Sequence, residues 1–254
     1  FIAWHQTTDG PDAACVRHTS LTATGAQVRI QEDTTYDSET SHTTEVVGYA
    51  AFESPFALDG CPKVEGAFGS ALSFDGRMDY VEVPKYPEAS PADTPFTIEA
   101  WVYAESDGTI VARGGSSYGF TLYIDGGVAK FAVRGDGLAF PGKCVIVSSG
   151  VNVIGGWAYI VGVFTPGFPS RLDIYVNGTL EGTRLSFIWI TSEPGESMQV
   201  GVDLGSQVTT DFPSPAYINA TIDELRFLRR ALAPSEISQR FEAKMSLDYS
   251  DVRF

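Results

Sequence analysis

Ala220-Thr221-Ile222-Asp223-Glu224-Leu225-Arg226-Phe227 runs on into Arg229-Arg230-Ala231-Leu232-Ala233-Pro234-Ser235-Glu236-Ile237. The first stretch alternates as a strand does, and Pro234-Ser235-Glu236 has the composition of a helix start. Period-two alternation places Asp223 on one face with Leu225 and Phe227, and Glu224 on the other. A carboxylate on a core-facing side needs backbone donors, a cationic partner or a metal.

Outward from this strand the pattern repeats. Phe120, Leu122 and Ile124 share one face, Thr121 and Tyr123 the other. Asp125-Gly126-Gly127 then supplies turn residues, and Val128 to Val133 returns as the second arm of a hairpin. Leu172, Ile174 and Val176 lead into Asn177-Gly178, another two-residue hairpin signal. Two facing sheets would bury these alternating sets as a sandwich core. The predicted helix is short, over Pro234–Phe241.

The order of motifs resembles a laminin-G-like (concanavalin-A-like) jelly roll. Gly66-Ala67-Phe68-Gly69-Ser70-Ala71-Leu72-Ser73-Phe74-Asp75-Gly76 through Asp79-Tyr80-Val81-Glu82-Val83-Pro84 matches the family's opening hairpin. Phe96 to Val102, Trp157 to Phe164, Leu172 to Gly178 and the Ala220 strand match later ones. The resemblance covers nearly all of residues 61–241. Ahead of it, residues 1–52 carry Leu21-Thr22-Ala23-Thr24-Gly25-Ala26-Gln27-Val28-Arg29-Ile30 and Thr43 to Tyr49, similar to the C-terminal part of an H-type-lectin-like β-sandwich. The predicted fold is therefore all-β: a partial N-terminal sandwich (1–52), a connector (53–60), a complete jelly roll (61–241) and a tail (242–254) of no assigned role.

Composition narrows the partners. With 26 Gly, 14 Pro and 12% aromatic residues, the chain suits short strands and many turns. A formal net charge of −15 argues against nucleic acid, whose phosphates need clustered Lys and Arg. No apolar run reaches membrane-spanning length. The opening Phe1-Ile2-Ala3-Trp4-His5 has no signal-peptide pattern and reads as a strand, so the expectation is a mature piece of a longer secreted protein. Cys15, Cys61 and Cys144 fit no metal spacing. Cys61 and Cys144 lie inside the jelly-roll region and are the pair available for a disulfide, leaving Cys15 over; three buried free thiols are the alternative.

The fold includes glycanases as well as binding modules. The resemblance implies that a glycanase would carry E-x-D-x-E on one strand, with nucleophile and acid flanking the scissile bond. The aligned positions here are Thr221, Asp223 and Leu225, so two of the three acids are missing. The histidines, His5, His18 and His42, all precede the jelly roll. No enzymatic activity is expected.

Many members of the family hold a structural calcium, which takes six to eight hard oxygen ligands. Asp75, Asp79, Asp223 and Glu224 are the candidate ligands; the alternative is that Asp75 and Asp223 cap their own turns. For glycans, loop aromatics beside polar groups are the expected tools, and Tyr118, Phe140, Phe168 and Trp189 are the candidates. The expected function is a non-catalytic extracellular recognition module for glycans or surface proteins. The rival is a structural subunit of a fibre or surface layer, self-assembling through the open edges of the partial sandwich. The alternating tail Met245–Phe254 is the candidate donor strand.

Overall fold

The computed structural model describes residues 61–83, 91–92, 94–138, 142–192, 194–204, 208–211 and 216–245, together with the backbone of four strands near the N-terminus. The chain divides into two units, Phe1–Ala57 and Leu58–Phe254. In the first, β1 (Ile2–His5) pairs with β4 (Val47–Ala50), and β2 (Ala14–Thr22) pairs with β3 (Gly25–Glu32), both antiparallel. β1, β3 and β4 overlap the stretches at residues 1–5, 21–30 and 43–49 singled out in the sequence. Phe140 and the tail 246–254 lie outside the described residues.

The second unit starts with β5 (Lys63–Gly66), β6 (Gly69–Asp75), β7 (Val81–Val83), β8 (Phe96–Ala104) and β9 (Gly108–Gly114). It continues with β10 (Gly119–Asp125), β11 (Val128–Gly137), β12 (Lys143–Asn152), β13 (Trp157–Thr165) and β14 (Ser170–Val176). It closes with β15 (Thr179–Ser186), β16 (Ile188–Trp189), β17 (Met198–Val200), β18 (Asn219–Leu228) and the helix α1 (Pro234–Met245). One sheet has the order β12-β11-β10-β9-β17-β7, with β16 added beside β11; the other has the order β15-β14-β13-β8-β18-β6-β5. Non-sequential neighbours such as β8 and β18 are the crossovers of a jelly roll, and the two sheets form the predicted sandwich.

Alternation builds the core. Phe96, Ile98, Ala100 and Val102 of β8 face Phe120, Leu122 and Ile124 of β10 within one buried cluster. Phe96 lies 5.3 Å from Phe120 and 5.5 Å from Phe227, ring centre to ring centre. The predicted hairpins form at Gly126-Gly127 and Asn177-Gly178, whose φ values of 64°, 76°, 51° and 78° suit the tight turn.

The outer faces are covered as well. Helix α1 lays Ile237 and Phe241 against Trp101, Tyr159 and Tyr175, with Phe241 stacked on Trp101 at 5.7 Å. Its start is a capping arrangement in which Glu236 reaches back to accept the Ala233 N–H at 2.8 Å. The helix runs to Met245, four residues past the predicted end, because the turn after Phe241 meets no Pro or Gly.

Across the other sheet, Val208 packs on Tyr123 and Ala132. The Tyr123 hydroxyl donates to Asp211 at 2.6 Å, and Arg134 Nε donates to the Val208 carbonyl at 2.6 Å. Within this segment Asp203 is 2% exposed. Burial pushes its carboxyl up to about 6, against one backbone donor at Val208 and with Glu196 adding repulsion. The folded value lies above the ordinary 3.8, so the folded state loses stability as pH rises between the two and carries the full penalty above about 6. Asp203→Asn should therefore stabilise the protein at neutral pH by about 3 kcal/mol, each pKa unit being worth about 1.4 kcal/mol. The gain should vanish below the unfolded carboxyl range; denaturant melts at the two pH values check it.

The disulfide expectation fails on this architecture. Cys61 is 3% exposed and belongs to the core between the sheets, whereas Cys144 packs on the outer side with Tyr123 and Val208. A sheet separates the two, and both are free thiols. Burial, then the charges of Asp79 and Asp75, push the Cys61 thiol up to about 12.

Candidate functional site

The carboxylates do not assemble as calcium ligands. Asp75 Oδ1 accepts the backbone N–H groups of Arg77 at 2.8 Å and Met78 at 3.0 Å, and Asp79 Oδ2 accepts that of Asp75 at 3.1 Å. These two close their own turn, and bonds from Met78 and Arg77 hold the Asp75 carboxyl below its usual range. On the neighbouring strand it is Asn219 that stands opposite Asp75. Asp223 is four residues further along, roughly 13 Å away at the rise of a strand.

Beyond Asp223 the strand carries a β-bulge. Pairing between β18 and β8 slips between Asp223 and Arg226, and Glu224 takes a φ of 51°. Asp223, opposite Trp101, and Arg226, opposite Glu99, therefore share the outer, helix-covered face. Leu225 and Phe227 pack with the core instead, so the predicted grouping of Asp223 with them is overturned. Glu224, predicted on the opposite side, pairs with Arg226. Asp223 is 6% exposed; its oxygens accept the Phe68 N–H at 2.9 Å and the Glu224 N–H at 2.8 Å. Among the described residues no three Asp, Glu, His or Cys side chains converge as metal ligands. The donor set does not fit calcium.

A buried charge cluster sits close by. Glu99 is fully buried; Oε1 accepts from Arg226 Nη1 at 2.9 Å and Arg240 Nη1 at 2.8 Å, and Oε2 from the Tyr159 hydroxyl at 2.6 Å. Burial opposes the charge, but Arg240, Arg226 and Tyr159 outweigh it and hold the Glu99 carboxyl below its ordinary value. The cluster joins helix to sheet beneath α1, and Glu99 reaches no solvent, so its work is structural.

Of the four aromatics singled out in the sequence, Phe140 lies outside the described residues, and the other three come together. β16 is anchored by Ile188, fully buried, so alternation turns Trp189 outward. Gly135 permits this close pairing: a Cβ there would lie 2.2 Å from the Trp189 carbonyl oxygen. Ser170 Oγ accepts the Gly167 N–H at 3.2 Å and donates to the Ile188 carbonyl at 2.7 Å, tying the loop of Phe168 to β16. Phe168 is 75% exposed and stacks on Trp189 at 6.1 Å, with Phe187 at 4.8 Å from Phe168.

Polar groups border this shelf. Asp136 stands directly opposite Trp189, so both side chains project to one side of the pair. Its Oδ2 accepts from the Tyr118 hydroxyl at 3.0 Å and from Thr191 Oγ1 at 2.7 Å. Tyr118, Phe168 and Trp189 thus belong to one surface. Sequence reading missed Phe187, Asp136 and Thr191. For Asp136 and Thr191 the available signal was their position at the ends of elements carrying exposed aromatics.

Residues 75–238 match the profile of a laminin-G-type family described as the concanavalin A-like lectin/glucanases superfamily. The match spans more than half of the sequence, and the chain belongs to that superfamily. No curated protein matches the sequence. Among solved structures, the binding domain of Paraclostridial Mosquitocidal Protein 1 is similar, with TM-score 0.58 and 14% identity over 72% of this chain and 46% of that one. The chain thus covers less than half the length of that domain. Domain 4 of AbnA, a GH43 extracellular arabinanase from Geobacillus stearothermophilus solved with arabinotriose, gives 0.52 and 18% over 70% and 80%. The heptameric SAP-like pentraxin from Limulus polyphemus gives 0.50 and 16% over 66% and 80%. At these identities the likeness concerns the fold.

Proposed function

We propose that this chain is a non-catalytic, extracellular recognition module that binds neutral glycans on the shelf of Phe168, Phe187 and Trp189. The observation that carries the reading is the stacking of Phe168 on Trp189 beside the Tyr118–Asp136–Thr191 cluster. Apolar ring faces take the C–H face of a sugar, while the adjoining hydroxyls and carboxylate bond its hydroxyl groups. The same fold in a domain solved with arabinotriose supports it, as does the absence of two of the three glycanase acids. No described helix is long and apolar enough to cross a membrane.

The test is calorimetric titration with arabinotriose and a panel of neutral oligosaccharides. Phe168→Ala combined with Trp189→Ala should weaken binding at least tenfold, the loss of about 1.4 kcal/mol or more expected for aromatic anchors. Phe168→Ala alone should hardly move the melting temperature, since Phe168 is 75% exposed, whereas Trp189 is half-buried in β16. Absence of binding across the panel, or unchanged affinity in the double variant, would sink the reading.

A second reading concerns assembly through the first unit. Its described strands form two separate two-stranded sheets, and such pairs are marginal alone. Light scattering should then give a mass above that of one chain; a monodisperse monomer removes this reading.

A further inference from the structure

We propose a second carbohydrate subsite, independent of the aromatic shelf, in the open cleft of about 310 Å³ between the end of β12, the start of β13 and the β14–β15 hairpin. Trp157, Asn152, Asn177, Thr179 and Glu181 line it, with Val151, Ile154 and Val176 as apolar wall. The volume lies at the small end of ligand sites, roughly 300–1,000 Å³, and suits one sugar residue.

The polar groups are aimed by the backbone. Asn177 Oδ1 accepts the Tyr159 N–H at 2.9 Å and Asn152 Oδ1 accepts the Ile154 N–H at 2.8 Å. With each carbonyl end fixed, the amide NH2 ends remain as donors. Glu181 makes no ion pair among the described residues. Trp157 meets Tyr103 edge-on at 5.9 Å, which keeps its ring in place. Three further bonds stiffen the walls: Val153 N–H to the Gly127 carbonyl at 2.9 Å, Gly155 N–H to the Ala104 carbonyl at 2.9 Å, and Ser238 Oγ to the Gly178 carbonyl at 2.9 Å. A preformed site loses little ordering entropy when its ligand arrives.

The donor and acceptor balance selects the ligand class. Two amide donors beside one carboxylate acceptor match vicinal hydroxyls, which both donate and accept. An anion would face Glu181, and a lone cation would leave both amides without acceptors. The ring of Trp157 suits the apolar side of a neutral pyranose or furanose.

The experiment follows the four tryptophan indole N–H resonances during titration with methyl glycosides of glucose, galactose, xylose and arabinose. At least one of them should shift the Trp157 resonance saturably, and equally in the Phe168→Ala/Trp189→Ala protein. Glu181→Ala, at a solvent-facing edge, should weaken that titration at least tenfold. If no probe moves the Trp157 resonance at tens of millimolar, or if Glu181→Ala titrates as the parent does, the assignment is overturned. Shifts confined to Trp189 would uphold the shelf and overturn the cleft.

Discussion

Replacing Arg226 and Arg240 together by alanine should lower the unfolding free energy by about 3–5 kcal/mol, the cost of leaving a buried charge without its partner. Glu99 has no access to water and takes both guanidiniums on one oxygen. Without them, among the described residues only the Tyr159 hydroxyl remains. The two arginines are 36% and 31% exposed, so they can be rehydrated once Glu99 is gone, whereas Glu99 cannot once they are gone. Adding Glu99→Gln to the double variant should therefore restore part of the loss, because a buried amide is far cheaper than a buried carboxylate. Equilibrium denaturation of the three proteins measures this; a triple variant no more stable than the double would refute the account. The pH dependence has a definite sign. The folded Glu99 carboxyl lies below its ordinary 4.5, so its contribution is complete above that value and is lost as pH falls through the lower folded one. Acid should loosen the joint between α1 and the sheet.

Asp223→Ala should cost about 3 kcal/mol or more, since hydrogen bonds to a charged group contribute about 1.5–3 kcal/mol each. Asp223 accepts one backbone N–H from the β5–β6 turn, at Phe68, and one from the bulge, at Glu224. Removing the carboxylate leaves the Phe68 donor part-buried and takes away what holds Glu224 at positive φ. Asp223→Asn, which keeps one acceptor, should cost less. Because the carboxylate is occupied by backbone donors, Asp75 and Asp79 close a separate turn and Glu224 pairs with Arg226, chelator and millimolar calcium should give the same melting temperature. A calcium-dependent rise lost in Asp223→Ala would reverse this.

Much of the fold was legible in local pattern. Period-two alternation identifies Phe120, Leu122 and Ile124 as core, and Asn177-Gly178 and Gly126-Gly127 as turns, because both signals depend only on neighbours along the chain. Tyr118, Phe168 and Trp189 are singled out by their expected place in loops, and Trp189 stands instead on the short strand β16. The bulge was not legible: whether a strand slips depends on its partner, and Glu224 gives no local sign that β8 is one residue short opposite it. That slip turned Leu225 and Phe227 to the core while Asp223, in unbroken register opposite Trp101, stayed on the helix face, which ended the expected grouping of Asp223 with Leu225.

The amino-acid sequence alone thus determined the all-β class, the order of the jelly-roll motifs, the acidity that disfavours nucleic acid and the missing glycanase acids. Tertiary structure decided what meets what. Glu99 and Arg240 are 141 residues apart in the chain and 2.8 Å apart in space. Phe168 and Trp189 stack because Ser170 bonds β16, and Asp136 borders them because β16 pairs with β11. Cys61 and Cys144 stay unpaired because a sheet runs between them. Each outcome depends on pairing between distant strands, which the period of a single strand does not encode.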